Sequence, residues 1–382
     1  MSATGFSTQP LPRWQRAVLK VGSSLLAGSG GLDPRHAAGL AAFIAASRAR
    51  GREVVLVSSG AVAAGRGRVG GGGDGLVQRQ ALASLGQASL IAFWQTLVAQ
   101  PVAQVLLTHD DLRNRRRYLN ARATLRELLR LGALPVINEN DAVAVDELKL
   151  GDNDNLAAAV ASLVDADLLL IATDIGGLYS GHPTRDPQAR PIERVEQVTP
   201  ELLQIASGGA GELGTGGMRT KLEAAAKAGA AGIPTVLFCG RDDTVVHALG
   251  EDLLRGTLVL AQGDRLRARK QWLRHAPSSG RLQVDEGAAI ALHRQGASLL
   301  PGGVLEVEGE FRRGDVVEIV TDASSLPFAR GLAQYSATEV RRIARHHSQD
   351  IERLLGFRYG ESVIHRDDLV LLALASQPEA SA

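Results

Sequence analysis

Cysteine, lysine, aromatic residues and long apolar runs are all scarce in this chain. Its 382 residues include one cysteine, Cys239. That count excludes an intrachain disulfide and a cysteine-based zinc site, and it fits a reducing, cytoplasmic setting. No run of ~18 apolar residues occurs, so no membrane span is expected. Residues 1–15 (MSATGFSTQPLPRWQ) lack the apolar stretch of a secretory signal. Aromatics are 4% of the chain against 45% hydrophobic residues, so the core is expected to be built from Ala, Val and Leu. The 42 basic and 41 acidic side chains leave a net charge of +1, which argues against a chain-wide nucleic-acid coat or a polybasic membrane anchor.

Lysine is the most telling scarcity. Only Lys20, Lys149, Lys221, Lys227 and Lys270 occur, and the other 37 basic residues are arginine. Where arginine supplies surface charge, a retained lysine points to a need for a compact ammonium, which a planar guanidinium does not imitate.

Glycine, by contrast, is in excess: there are 43, where a usual ~7% would give about 27. Up to about residue 262 the pattern alternates strand and helix. Short runs rich in β-branched residues read as strands at Ala17–Val21, Val54–Ser58, Val102–Thr108, Leu134–Asn138, Leu168–Thr173 and Pro234–Phe238. Helix-period segments separate them at Asp33–Arg50, Leu76–Ala99, Arg115–Leu131, Asn155–Val164 and Met218–Ala231. Strands with little polar alternation are buried on both faces, so the expected class is α/β, a mainly parallel sheet sandwiched by helices. Asp33-Pro34 reads as an N-cap with proline at the first helical position, and Gly51 and Gly132 as helix C-terminal glycines. After a basic connector the segments shorten into a small, mostly β domain. The expected division is a flexible N-terminus 1–15, a catalytic domain 16–265, a linker 266–275, a second domain 276–375 and a disordered tail 376–382.

Three strand-to-glycine junctions qualify as anion-binding loops: Lys20-Val21-Gly22-Ser23-Ser24, Ser58-Ser59-Gly60-Ala61 and Gly214-Thr215-Gly216-Gly217-Met218-Arg219-Thr220-Lys221. Each alone reads equally as a tight turn, but two of the three hold a lysine. Gly65-Arg66-Gly67-Arg68-Val69-Gly70 matches a dinucleotide fingerprint in letters only. Its strand ends near Ser58, and no acid occurs between Asp74 and Asp110, so it reads as a flexible loop. No Walker A motif can be written anywhere in the chain. Two polar runs follow strands, Asn138-Glu139-Asn140-Asp141 and Gly151-Asp152-Asn153-Asp154-Asn155. The second is a helix cap with a turn or the floor of a polar-substrate site. It is not an EF-hand loop, because its twelfth position, counted from Asp152, is Leu163. Thr173-Asp174 ends another strand, a common place to meet a base or ribose.

In order and spacing, these segments resemble the amino acid kinase family, in particular the branch that phosphorylates the side-chain carboxylate of L-glutamate. The part holding Val284-Asp285-Glu286-Gly287-Ala288 and His346-His347-Ser348-Gln349-Asp350 resembles a PUA domain. The resemblance implies ATP and L-glutamate as substrates, L-glutamyl 5-phosphate as product, and Mg²⁺ bound with ATP. It places Lys20, Lys221 and Asp154 in catalysis. Gly22, Thr173, Asp174, Thr215, Gly216, Gly217, Met218, Arg219 and Thr220 join the two lysines in binding ATP. Ser59, Asp141 and Asn153 bind glutamate, with Asn138 and Asp152 as further pocket residues. No protein ligand is named for the metal. It also implies the first step of proline biosynthesis, inhibition by proline, a homo-oligomer and coupling to glutamyl phosphate reductase. Lys149 is placed at the border of the glutamate pocket, Lys227 in solvent and Lys270 in the connector. Acetylglutamate, aspartate, carbamate or UMP are the competing acceptors within the superfamily. RNA binding is disfavoured, since residues 276–382 hold 11 arginines against 15 acids and no lysine.

Overall fold

The computed structural model describes residues 5–71, 73, 75–144, 153–181, 183, 186, 188–206, 217–263, 273–274, 276–321 and 324–372. The chain divides into two compact units, Met1–Arg265 and Leu266–Ala382.

The first unit is built on strands β1 (Arg16–Val21), β2 (Glu53–Ser58), β3 (Val102–Leu107), β4 (Leu134–Glu139), β5 (Leu168–Thr173), β6 (Thr235–Cys239) and β7 (Gly256–Val259). With the two-residue strand Arg194–Val195 at one edge, the order across the sheet is β7-β6-β5-β1-β2-β4-β3. From β6 to β3 every pairing is parallel, and β7 runs antiparallel to β6. All the carboxyl ends from β6 to β3 therefore share one rim. The helices are α1 (Ala37–Ala49), α2 (Ala61–Val69), α3 (Leu76–Leu97), α4 (Arg115–Arg130), α5 (Asn153–Leu163), α6 (Met218–Ala230) and α7 (Asp243–Gly250). Among the described residues no helix is long and apolar enough to cross a membrane.

Each face of the sheet has its own core. Leu19, Leu56 and Leu170 pack with Leu40, Leu90, Trp94 and Val245 on one face. Val18, Val55 and Ile171 pack with Leu125, Leu156, Val160 and Leu222 on the other. Alternation along β1 puts Lys20 on the face of Val18, beneath α5 and α6. The expected α/β architecture holds, and the strand Leu168–Thr173 begins and ends where the sequence puts it. Gly51 and Gly132 both have φ +74, as their helix ends require.

Three expectations are corrected. Residues 5–15 are not a loose terminus: Gln9–Pro10 pairs with Leu253–Leu254, and Phe6, Leu11 and Trp14 are buried. A short apolar-studded segment gains more from that burial than it loses in freedom. Asp33 does not cap α1. Its backbone N donates to Leu26 O, its Oδ1 accepts from Arg35 N at 2.9 Å, and the helix proper starts at Ala37. Gly65–Val69 is not a flexible loop but the second half of α2. The glycines there serve packing: a Cβ on Gly65 would overlap the Leu82 carbonyl of α3, and one on Gly86 would overlap the Ala61 carbonyl of α2. The two backbones approach so closely that no side chain fits between them, so the contact itself stabilises a glycine-containing helix.

The second unit is mostly β, as expected. Strands β8 (Gly280–Val284), β9 (Val304–Gly309), β10 (Val316–Thr321), β11 (Ser324–Leu332) and β12 (Leu369–Leu371) form a sheet of order β9-β8-β10-β11-β12. Helices α8 (Glu286–Arg294) and α9 (Ala337–Ile343) accompany it, and Leu282, Ile319, Tyr335 and Val340 are central to its core. Tyr335 is fully buried, donates to Gly360 O at 2.6 Å and accepts from Tyr359 N at 3.0 Å and Gly360 N at 3.1 Å. Burial pushes its phenol up from the usual range, so it stays a donor at all ordinary pH.

Gly86→Ala is expected to destabilise the first unit by ~1–3 kcal/mol or more, because α2 and α3 must separate. Gly250→Ala, where a Cβ meets nothing within 4 Å, is the control and is expected to be neutral or slightly stabilising. Urea denaturation of both variants checks the pair.

Candidate functional site

Helix α5 packs over the middle of the sheet, against β1, β5, β2 and β4. Its first turn carries Asn153 and Asp154 to the rim of strand carboxyl ends. Asp154 is fully buried. A carboxylate there gains from the partial positive charge of the helix start, but burial in a dry setting demands closer partners. It has them. Lys20, from β1, forms an ion pair with Asp154 Oδ1. Lys221, from the first turn of α6, donates to Asp154 Oδ2 at 3.1 Å. Both lysines are buried. The Thr220 hydroxyl lies 3.0 Å from Asp154 Oδ2 and 2.8 Å from Gly217 O, so its one proton is shared between them.

Two ammoniums on one carboxylate leave a buried excess of one positive charge. Two glycines stand beside it. A Cβ on Gly22 would lie 3.5 Å from Lys20 Nζ, and a Cβ on Gly217 would meet nothing within 4 Å. Among the described residues no contact therefore requires glycine at Gly217. A buried positive excess beside open backbone is suited to an anion such as a phosphate.

Asn153, next to Asp154, makes a second cluster. Its Nδ2 donates to Ser59 Oγ at 2.7 Å and to Asn138 Oδ1 at 2.9 Å, and Glu139 N donates to Asn138 Oδ1 at 2.9 Å. Ser59 follows β2 and Asn138 is the last residue but one of β4, so one side chain of α5 ties the two strand ends together. Gly60, with φ +109, turns the chain from Ser59 into α2. Asp141 is three residues beyond Asn138, partly buried, in a turn where Val143 N and Ala144 N both donate to Asn140 O.

Thr173 ends β5 and Asp174 follows it, on the other side of β1. Thr173 Oγ1 lies 3.3 Å from Asp174 Oδ1, Thr173 O accepts from Gly240 N at 2.8 Å, and Asp174 is exposed. Cys239 lies beside them, its Sγ 3.9 Å from Asp174 O. Burial pushes its thiol above the usual cysteine range, so it stays protonated at neutral pH and is no nucleophile. β1 thus divides the rim. Thr173 and Asp174 lie on one side and Ser59, Asn138 and Asp141 on the other, with Lys20 on the dividing strand.

The structure therefore brings together Lys20, Asp154, Thr220 and Lys221 beside Gly22 and Gly217, and separately Ser59, Asn138 and Asn153. Met218 is partly buried at the start of α6, and the Arg219 guanidinium is engaged by Glu223 at 2.9 Å. Asp152, Thr215, Gly216, Lys149 and Lys270 lie outside the described residues. Lys227 corrects an expectation. Although exposed along its stem, its ammonium donates to Asn155 Oδ1 at 2.7 Å, so it pins α6 to α5 rather than pointing into solvent. Sequence reasoning missed this, and it missed the Thr220 hydroxyl as a partner of Asp154, because both contacts depend on how α5 and α6 pack. The helical period of α6 was the available signal for Thr220, adjacent to Lys221. Among the described residues no group of three His, Cys, Asp or Glu side chains could hold a metal ion. Both oxygens of Asp154 are already taken by ammoniums.

Residues 15–239 match the amino acid kinase family and residues 280–355 match the PUA domain. The chain is 66% identical over 362 residues to a glutamate 5-kinase of Xanthomonas oryzae pv. oryzae, covering 93% of this chain and 100% of that protein. It is 62% identical over 375 residues to a glutamate 5-kinase of Xylella fastidiosa, covering 96% and 98% respectively. The solved structure of a UMP kinase from Bacillus anthracis covers 66% of this chain and 98% of its own, at 14% identity and a TM-score of 0.45.

Asp154→Asn keeps the shape of the side chain but removes the carboxylate that both buried ammoniums contact. It is expected to cost about 3–5 kcal/mol of folding stability, read by urea denaturation. A loss below ~1 kcal/mol would show that the lysines do not depend on it.

Proposed function

The chain belongs to the amino acid kinase family, and on that premise we propose that it transfers the γ-phosphoryl group of ATP to the side-chain carboxylate of L-glutamate, giving L-glutamyl 5-phosphate. The observation that carries the reading is the pair of buried lysines held on Asp154 between the two halves of the rim.

The chemistry fits the residues. A glutamate side chain has an ordinary pKa near ~4.3, so at neutral pH the nucleophile is already ionised and needs no general base. The difficulty is to bring one anion against another and to stabilise the charge that spreads over the transferring group. Two fixed ammoniums do both, and they need no reorganisation at the moment of transfer. Lys221, with the Gly217 backbone, takes the phosphates from the α6 side. Lys20, with the Gly22 backbone, takes them from β1. Thr173 and Asp174, with the Thr215–Lys221 segment, hold the nucleotide. Ser59, Asn138 and Asn153 hold the acceptor, with Asp141 on its ammonium and Asp152 beside the pocket. The phosphoryl group then crosses from the β5 side to the β2 side at Lys20. Asp154 acts through the lysines as a positioning residue. Mg²⁺ bound with ATP would supply further charge neutralisation. The same reading takes in a cytoplasmic enzyme of proline biosynthesis, inhibited by proline, working as a homo-oligomer and supplying a reductase that consumes the acyl phosphate.

Incubation with Mg-ATP, L-glutamate and hydroxylamine is expected to give a glutamate-dependent hydroxamate, and its absence would remove the proposal. Lys20→Arg is expected to lower kcat by at least ~10²-fold, as loss of one well-placed charge contact does. Near-normal turnover in that variant would show that a compact ammonium is not what the site requires.

A further inference from the structure

Arg79 is a charged side chain that neither the fold nor the chemistry above uses. It lies in the first turns of α3, seven residues before Gly86 and eleven before Leu90. At 3.6 residues per turn those separations are about two and three turns. Arg79 therefore shares the face that the helix buries through Ala83, Gly86 and Leu90. Helix α3 runs antiparallel to α2, since Gly86 lies against Ala61 and Leu82 against Gly65. Helix α2 starts at the strand carboxyl end, directly after Ser59. Followed from Leu90 back to Arg79, the buried face of α3 thus climbs past the strand ends, on the side of the rim that carries Ser59 and Asn138.

Two further observations sharpen this. Gln80, the next residue, donates through Nε2 to Ala144 O at 3.1 Å, so the start of α3 is tied to the segment just after Asp141. The Nε of Arg79 is shut off from solvent and has no hydrogen-bond partner, and Arg79 has no ion pair among the described residues. Arg79 is half-buried, and its shielded Nε lacks, among the described residues, the acceptor that such an atom calls for.

We propose that Arg79 binds the α-carboxylate of the acceptor amino acid. The inference rests on the glutamate reading above and deepens it. Glutamate brings two carboxylates. The one that accepts the phosphoryl group meets Lys20. The other needs its own counter-charge: Ser59, Asn138 and Asn153 are uncharged, and Lys20 and Lys221 are assigned above to the transferring phosphoryl group. The planar fork of an arginine matches a carboxylate with two parallel hydrogen bonds. Arg79 is then a specificity residue: it separates free amino acids from those whose α-carboxyl group is an amide.

The test uses the full chain and two acceptors, L-glutamate and its α-amide, in the hydroxamate assay. For an acceptor that is not turned over, the inhibition constant replaces KM. Arg79→Met is expected to raise KM for L-glutamate by ~10- to 100-fold, the range for a hydrogen bond to a charged group. Values for the α-amide and for ATP stay within about threefold, and the loss sits in KM rather than in kcat. Arg79→Lys, which keeps the charge and loses the fork, is expected to recover part of the affinity. Without ATP, the rise in thermal midpoint that L-glutamate gives wild type is expected to vanish in Arg79→Met, whose unliganded midpoint reports its folding. A glutamate KM within about threefold of wild type, or an equal rise for both acceptors, would overturn the inference. Wild-type hydroxamate formation upholds the glutamate reading whatever the variant does, and a wild type inactive on glutamate overturns both.

Discussion

One carboxylate shared by two buried ammoniums is the constraint on which the rest of the site depends. Asp154 is without solvent contact, and each of its oxygens is taken by a different lysine. Lys20 comes from the central strand β1, and Lys221 comes from α6, almost the length of the domain later in sequence. Neither ammonium could remain buried alone, because the desolvation of a single charge is not offset by apolar packing. Asp154 therefore does for the lysines what it could not do for itself in the absence of them. The three groups leave a net positive charge in a place where water cannot screen it. That is the condition under which a charge acts strongly on a transferring phosphoryl group.

The parallel sheet makes this arrangement possible. Six adjacent strands end on one rim, so residues far apart in sequence arrive side by side. β1 lies between β5 and β2, which puts Lys20 between a half that carries Thr173-Asp174 and a half that carries Ser59 and Asn138. Helix α5 adds the cross-link. Its consecutive residues Asn153 and Asp154 serve the two clusters separately, one by neutral hydrogen bonds and one by charge. The distance between the two halves of the rim is thus set by strands and a helix, as the proposed transfer, a reaction limited by positioning, requires.

Much of this was legible in the sequence, and the exceptions have physical causes. The strands could be read because full burial on both faces leaves an unbroken apolar run, as at Leu168–Thr173. The lysines could be read because arginine supplies nearly all other positive charge. What escaped was whatever depends on a partner remote in sequence. Gly65 and Gly67 looked like loop residues because glycine weakens an isolated helix, yet the close approach of α3 makes glycine the only residue that fits at Gly65. Phe6, Leu11 and Trp14 were too few and too scattered to announce a packed segment. In the site, the residue types and their order were readable, but not that Thr220 reaches Asp154 or that Lys227 reaches Asn155. Those contacts are set by the packing of α5 against α6, which no local pattern encodes.

The central claim is that Lys20, Lys221 and Asp154 work as one unit. The most direct measurement is a double-mutant cycle on kcat in the hydroxamate assay, with Asp154→Asn, Lys221→Met and the double variant. If the carboxylate acts through the lysines, the double variant loses about as much as the worse single variant, because the second change removes a unit already broken. If the two losses multiply instead, Asp154 and Lys221 act independently, and the shared carboxylate is not what organises the site.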